Sequence, residues 1–491
     1  MSKSYEELMG AVGRAVFYRP ERRRVRDLLS RDACPQLLVG EREFPLFDVS
    51  MNGISFLSDN GHTAWQIGQE LPLQLRLWDK EIYSGHARVA RIEPGPRGGC
   101  RVGLGLVTGF LDLPEVRRED DEGQLERDLR SGPEIARARI PAPFRDQVGR
   151  AVHFLQYYRQ VLGRNEARYR QSVPHAAEAV RSLTERALAA LREPWAEIQR
   201  GCSHAAVECL QDREVLLAAK EYTETVVTPI MMECPLVQRA YSKPLGYPGD
   251  YQVMLYYYNN RPEGDSVYAQ VFHKLGVEHP LSAGVRTRRD YVVELMKEEH
   301  DRVCAEAGAD SSFRVTSLAC GPAREVSDYV AGRHGWPGQA TFTLIDQEDE
   351  ALSIAYHDAV RALSRAGARG SLQCLHLSFV QMLRDGSILA SLDPQHFIFS
   401  TGFFDYLREA QAQVVLRGLY ERLVPGGLLV IGNALGPNDH FWSAEFILDW
   451  TLLYRTRDEM RRLAARLPET AEVDIAVEPG NAYYFLLVRR H

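Results

Sequence analysis

The chain has 491 residues, enough for about two to four domains. Hydrophobic residues make up 45% and charged residues 25%, an ordinary balance for globular protein. A net charge of −7 argues against general nucleic-acid binding, which needs a broad basic surface, and no apolar run approaches the ~18 residues of a membrane-spanning helix. The first residues, Met1-Ser2-Lys3-Ser4-Tyr5-Glu6-Glu7, lack the apolar core of a signal peptide. The eight cysteines show no CxxC and no His/Cys ligand pattern, so free thiols in a reducing cytoplasm and no metal are expected.

The first feature along the chain is a local basic run from Arg14 to Arg31. It contains Arg22-Arg23-Arg24-Val25-Arg26, an RxxxR pair, and is followed by Asp48-Val49-Ser50-Met51-Asn52-Gly53, a DxSxxG. Arginine offers a planar fork for phosphate or a guanine edge, and it stacks on bases. A glycine allows close backbone approach, and Asp or Ser bonds base or sugar edges. Taken singly, the arginines read as a solvated basic run and the DxSxxG as a turn. Three stretches with alternating apolar positions and glycine turns follow or overlap them: Gln36–Val39, Leu73–Trp78 and Arg101–Leu106. They predict a small antiparallel barrel. Together, residues 15–115 resemble the PilZ domain, a bacterial receptor for cyclic di-GMP. The resemblance implies a cyclic di-GMP site at Arg22, Arg23, Arg26, Asp48, Ser50 and Gly53.

Residues 115–134 are highly charged and end in Ser131-Gly132-Pro133, so residues 116–139 are expected to form an exposed, partly helical linker. From about 140 the apolar period becomes helical. Phe144, Val148, Val152, Leu155, Tyr158 and Leu162 fall on one face, and residues 140–290 read as a helical region. It ends in a stiff aromatic segment, Tyr241-Ser242-Lys243-Pro244-Leu245-Gly246-Tyr247-Pro248-Gly249-Asp250-Tyr251. That segment reads either as a domain-packing turn or as a loop that closes over a ligand, with Tyr247 and Asp250 touching it.

Residues 291–491 alternate strands and helices. Candidate strands are Val315–Ala319, Phe342–Asp346, Ser371–Leu375, His396–Ser400 and Gly427–Gly432, followed by a hairpin of Val473–Val477 and Tyr483–Val488. Short apolar strands between helices predict a parallel sheet covered on both faces. The first strand runs into Ser317-Leu318-Ala319-Cys320-Gly321-Pro322-Ala323, the second ends at Asp346-Gln347, and the fourth leads into Ser400-Thr401-Gly402-Phe403-Phe404-Asp405-Tyr406-Leu407. Loops at the carboxyl ends of such strands line the ligand crevice. Each also has a plainer reading: an ordinary βα turn, a helix N-cap at Asp346, capping and packing at Asp405 and Tyr406.

This Rossmann-like sheet ending in a β-hairpin resembles a class I S-adenosylmethionine (SAM)-dependent methyltransferase. The glycine-rich first motif departs from GxGxG, since Cys320 and Pro322 intrude and Ala323 stands where a third glycine is common. GxGxxG is absent, which disfavours an NAD enzyme. The 241–251 segment, Gly402–Leu407, Ile431-Gly432-Asn433 and Asp449–Thr456 together resemble methyltransferases that make the 3-hydroxypalmitic acid methyl ester signal. The resemblance implies SAM contacts at Tyr247, Asp250, Arg288, Ala319, Cys320, Gly321, Pro322, Asp346, Gln347, Ser400 and Gly402, although a solvated helix face reads equally well for Arg288. Asp405, Tyr454 and Arg455 are candidates at the chemistry, with His376 or Asp405 as base for a neutral acceptor. The expected whole is a multidomain cytoplasmic enzyme: a barrel, a helical region and an α/β sheet, with cyclic di-GMP regulating methyl transfer to a small or lipid-like acceptor. A signalling adaptor that binds SAM or a partner without catalysis is the alternative, and self-association into a homodimer is left open.

Overall fold

A computed structural model describes residues 23–30, 33–58, 65–78, 80–94, 99–171, 175–308, 311–333, 336, 338–377, 389, 392–436 and 440–491. They fall into two compact units, 1–136 and 137–491.

The first unit is an eight-stranded antiparallel sheet. Its strands are β1 (Arg23–Arg24), β2 (Gln36–Val39), β3 (Arg42–Phe44), β4 (Leu46–Ser50), β5 (Gly53–Ser58), β6 (Glu70–Leu77), β7 (Lys80–Pro94) and β8 (Cys100–Leu106), with a single helical turn, α1 (Val25–Leu28), after the first. Their order is β1-β4-β5-β8-β7-β6-β2-β3. Among the described residues β1 and β3 remain edges, so the sheet curls without closing into the expected barrel. Its inward positions, including Leu37, Ile54, Phe56, Val102 and Leu104, are fully buried. The DxSxxG forms a tight hairpin: Ser50 pairs with Gly53 across Met51-Asn52, and the Ser50 hydroxyl donates to the Gly53 carbonyl at 3.2 Å.

The expected linker is helix. α2 (Leu113–Arg139) runs through Ser131-Gly132-Pro133, and acidic and basic side chains alternate along it. The helical region and the α/β sheet, read from sequence as successive segments, belong to one unit. Its helices before the sheet are α3 (Ala142–Arg170), α4 (Ala176–Cys209), α5 (Arg213–Val226), α6 (Thr228–Met231), α7 (Pro235–Ser242), α8 (Tyr251–Asn259), α9 (Val267–Val277) and α10 (Pro280–Ala307). The predicted apolar face of α3 is buried at Phe144, Val148, Leu155 and Leu162. These side chains share a core with Trp195, Phe272, Trp442 and Phe446.

The sheet comprises β9 (Ser312–Leu318), β10 (Gln339–Asp346), β11 (Gly370–His376), β12 (Gln395–Ser400), β13 (Leu423–Ala434), β14 (Glu472–Val477) and β15 (Tyr483–Arg489). Helices α11 (Arg324–Ala331), α12 (Asp349–Ala366), α13 (Glu409–Tyr420) and α14 (Arg457–Leu463) lie between them in sequence. The order is β11-β10-β9-β12-β13-β15-β14. The first five are parallel; β15 runs antiparallel to both neighbours, as the terminal hairpin predicts. Alternation places Phe397 and Phe399 of β12 in one core and Ile398 in the other, so both faces are covered.

Candidate active site

The strand order reverses between β9 and β12, and in an open α/β sheet ligands bind at the carboxyl ends of the strands at such a switch point. A cavity of about 410 Å³ lies there. Its floor is Ala319, Cys320, Gly321 and Pro322 after β9, Asp346 and Gln347 after β10, and Thr401, Gly402 and Phe403 after β12. Other lining residues are Tyr247 of the 241–251 loop, Tyr257 and Tyr258 of α8, Arg288 on α10, and an apolar wall that includes Trp195, Leu236, Val237 and Phe272.

The β9 loop explains its own departures from a glycine-rich sequence. Ala319, Gly321 and Ala323 have φ of +53°, +52° and +47°. The backbone therefore holds the left-handed conformation at each alternate position, although only one residue is glycine. For alanine this costs roughly 1–2 kcal/mol per residue, strain of the kind that functional loops retain. Asp346 holds the loop in place. Its Oδ2 accepts from Gly321 N at 2.7 Å and its Oδ1 from Glu348 N at 3.0 Å. Burial raises its pKa, opposed by these backbone N–H groups and that of Gln347. Each carboxylate oxygen keeps lone-pair capacity for a ligand hydroxyl.

Arg288 is 5% exposed and lies 4.6 Å over the Tyr483 ring. Its polar contact is Met254 Sδ at 3.9 Å, and its Nε is buried with no hydrogen-bond partner. Burial works against its charge, but Tyr483, Tyr258, Asp405 and Glu325 outweigh it and raise the pKa. A buried cation without a bonded anion, lining a cavity, has the capacity to receive a ligand carboxylate.

Asp405 is 3% exposed, lines the cavity and accepts from Ala434 N at 2.6 Å. Burial lifts its pKa to about 6 against the pull of Ala434 N–H, Arg288 and Arg455. At the mouth Trp450 Nε1 donates to Tyr406 Oη at 2.9 Å. Gly249 lies under the same indole, where a Cβ would come within 2.4 Å of Trp450, so the 241–251 loop and the segment after β13 close against each other. Tyr247 lines the cavity and donates to Glu348 Oε1 at 3.4 Å; burial raises its pKa.

Several expected site residues are placed elsewhere. Asp250 is the N-cap of α8, accepting from Gln252 N and Val253 N at 3.0 Å each, and it pairs with Arg239 at 2.7 Å. It does not line the cavity. Ser400 ends β12 fully buried, and its neighbour Thr401 takes the lining position. Arg455 donates to the Phe404 carbonyl at 2.8 Å and to Leu407 O and Asn433 Oδ1; it clamps the Phe404–Leu407 loop from behind. Tyr454 packs between two cores, away from the cavity lining. His376 is exposed, 2.9 Å from the Gln347 carbonyl and 3.3 Å from Asp349. The cavity also contains a charged residue the sequence reading passed over, Glu325 on the first turn of α11. A carboxylate two residues after a ligand loop is the signal that was available.

In the first unit, Arg22 lies outside the described residues, as do the side chains of Arg23 and Arg26. The β1 backbone pairs with the DxSxxG strand, Arg23 opposite Val49 and Arg24 opposite Asp48, so the two motifs share one sheet edge. Asp48 and Ser50 are buried, and Arg101 lies 3.9 Å from Asp48. No group of His, Cys, Asp and Glu among the described residues could hold a metal, and no described helix is long and apolar enough to cross a membrane.

No family model matches the chain, and no curated protein matches it. Solved structures do. A possible exported protein from Bordetella parapertussis aligns at 16% identity over 49% of this chain and 79% of its own, with a TM-score of 0.37. Magnesium protoporphyrin IX methyltransferase ChlM from Synechocystis, with bound S-adenosylhomocysteine (SAH), aligns at 12% identity over 52% of this chain and 99% of its own, with a TM-score of 0.33. The S-adenosylmethionine-dependent methyltransferase SibL aligns at 15% identity over 60% and 76%, with a TM-score of 0.33. At these TM-scores the residues themselves must carry the functional inference.

Proposed function

We propose that the chain is a SAM-dependent methyltransferase acting on a small or lipid-like acceptor, with the N-terminal unit as its cyclic di-GMP receptor. The observation that carries the enzyme reading is the switch-point cavity. A left-handed loop forms its floor, a carboxylate stands at the end of the second strand, and an unpaired cation is buried beside both. The residues suit the cofactor. Asp346 offers acceptor oxygens to ribose hydroxyls, Arg288 a cation to a carboxylate, and Gly321 a surface without side chain, since nothing lies within 4 Å of where its Cβ would be. The departures at Cys320, Pro322 and Ala323 favour the adaptor alternative, and against it Ala319 and Ala323 hold left-handed backbone on either side of Gly321.

When bound, SAM supplies an electrophilic methyl group. The chain's contribution is orientation: Trp450, Tyr406 and the 241–251 loop close the mouth, exclude water and hold the acceptor in line. Such positioning is worth ~7–11 kcal/mol. The apolar wall, with Met231, Ile447 and Leu448 besides the residues above, favours an acceptor with a hydrocarbon body, such as a hydroxy fatty acid. A carboxylate acceptor is already ionised at neutral pH and needs no base; a hydroxyl or amine acceptor would use Asp405. The receptor reading is supported by the shared sheet edge of the arginine segment and the DxSxxG.

Calorimetry with SAM tests the cofactor site. One molecule should bind per chain, and Asp346→Asn should weaken binding at least tenfold. A folded protein that binds no SAM contradicts the proposal.

A further inference from the structure

Two polar side chains interrupt the apolar wall of the cavity, and nothing above uses them. Gln199 on α4 and His279, which caps α10, are each 8% exposed and line the cavity. With Trp195 they also line a second cavity of about 350 Å³, whose lining comes from the helical region and from no strand end. Gln199 Nε2 donates to Ser443 Oγ at 2.7 Å, while its Oε1 has no hydrogen-bond partner among the described residues and is not enclosed. His279 Nε2 is enclosed without a partner; Nδ1 is also unbonded but is not enclosed. The ring meets that of His440 edge-on, with centroids 5.4 Å apart. Burial, aided by His440, lowers its pKa to about 3, so the imidazole is neutral near pH 7, with one donor and one acceptor nitrogen. Polar groups held from water without partners cost free energy, and in a mostly apolar pocket a few such groups orient the ligand.

We propose that Gln199 and His279 determine acceptor specificity by selecting a neutral hydroxyl at the end of the hydrocarbon body remote from the methylated atom. This rests on the methyltransferase reading above and adds to it the far end of the substrate. The cofactor residues lie at the strand ends, whereas Gln199 and His279 stand where the cavity borders the helical region, so the apolar wall is left for the body between. A hydroxyl can donate to Gln199 Oε1 and bond His279 Nδ1 in either tautomer. A methyl terminus satisfies neither group. A carboxylate would set an acceptor against Oε1, and the charges nearby are engaged: Arg192 pairs with Glu278 at 2.8 Å, Lys274 with Glu278 at 2.9 Å, and Arg286 donates to the Tyr257 and Val277 carbonyls at 2.9 Å each. A site built to bond a hydroxyl rejects the analogue that lacks it.

The test is calorimetry on the full chain with SAH, followed by titration of the SAH-loaded protein with acceptor probes. The probes are dodecanoic, tetradecanoic and hexadecanoic acids, their ω-hydroxy counterparts and the matching α,ω-diacids. At one chain length or more the ω-hydroxy acid should bind at least tenfold more tightly than both the parent acid and the diacid. His279→Phe and Gln199→Leu should each bring the ratio of hydroxy to parent affinity to within about twofold. A ratio near one at every length in wild type, a diacid that binds best, or a ratio unchanged in both variants overturns the inference and leaves the SAM reading intact. The wild-type comparison decides alone where a variant does not fold. A protein that binds SAH but no probe overturns the inference together with the hydrocarbon acceptor, and one that binds no SAH overturns the SAM reading as well.

Discussion

At the scale of single residues, the loop after β9 carries backbone strain. Ala319 and Ala323 adopt left-handed backbone, where glycine is unstrained. Ala319→Gly and Ala323→Gly should each stabilise the fold by about 0.5–1 kcal/mol: relief of roughly 1–2 kcal/mol less the added freedom of the unfolded chain. Urea denaturation measures this, and destabilisation by either change would show that the alanine methyl is needed. Asp346 calls for a gentler substitution than alanine, because Asp346→Ala would strand the N–H groups of Gly321 and Glu348. Asp405 sets a pH dependence. Its pKa is raised from 3.8 to about 6 in the fold, so the native state holds the proton more tightly than the unfolded chain. Its stabilising contribution is complete below about pH 4 and is lost as pH rises through about 6. A shift of two units corresponds to about 3 kcal/mol. Asp405→Asn should remove this decline from the stability–pH curve. If the acceptor needs a base, kcat/KM will also rise through about pH 6 in wild type and lose that limb in the variant; a carboxylate acceptor predicts no such limb.

At the scale of elements, the sheet was legible because its signals are local. Runs such as Phe397-Ile398-Phe399 are apolar on both faces and bounded by turns, so β9 to β13 and the terminal hairpin lie within a few residues of their expected places. The first motif and Asp346 were legible for the same reason, since a strand end announces a crevice. Arg455 and Asp250 were misread because sequence shows that a charged group is present but not which way it faces. An arginine beside a cavity loop is equally able to meet a ligand or three carbonyl-type acceptors, and the latter holds here. The apolar cavity wall was also hidden, because Trp195, Phe272 and Ile447 come from segments far apart in sequence and meet only through packing. The clamp carries its own prediction. Arg455→Ala should cost roughly 3–5 kcal/mol, since it leaves the Phe404 and Leu407 carbonyls and Asn433 without their charged donor. Tyr454→Phe should retain methyl transfer. Thermal denaturation and an activity assay separate the two, and an Arg455→Ala protein of wild-type stability would reject the clamp.

For the whole molecule, the proposed receptor sheet and the proposed enzyme share one chain, and linkage sets what regulation would require. Cyclic di-GMP changes SAM affinity only if it binds one arrangement of the protein better, typically by ~1–3 kcal/mol, and SAM must then change cyclic di-GMP affinity by the same factor. Arg26→Ala in the full chain should weaken cyclic di-GMP binding at least tenfold, as expected for loss of a charged hydrogen bond worth about 1.5–3 kcal/mol. SAM affinity that is identical with and without saturating cyclic di-GMP would make the two units independent. The central claim is methyl transfer itself, and the most direct measurement is mass spectrometry of a lipid-containing cell extract incubated with the protein and trideuteromethyl-SAM. A small or lipid-like product that gains one trideuterated methyl group, and that is absent with Arg288→Gln, is the predicted result. A folded, SAM-binding protein that transfers no label to any component of the extract would contradict it and favour the adaptor.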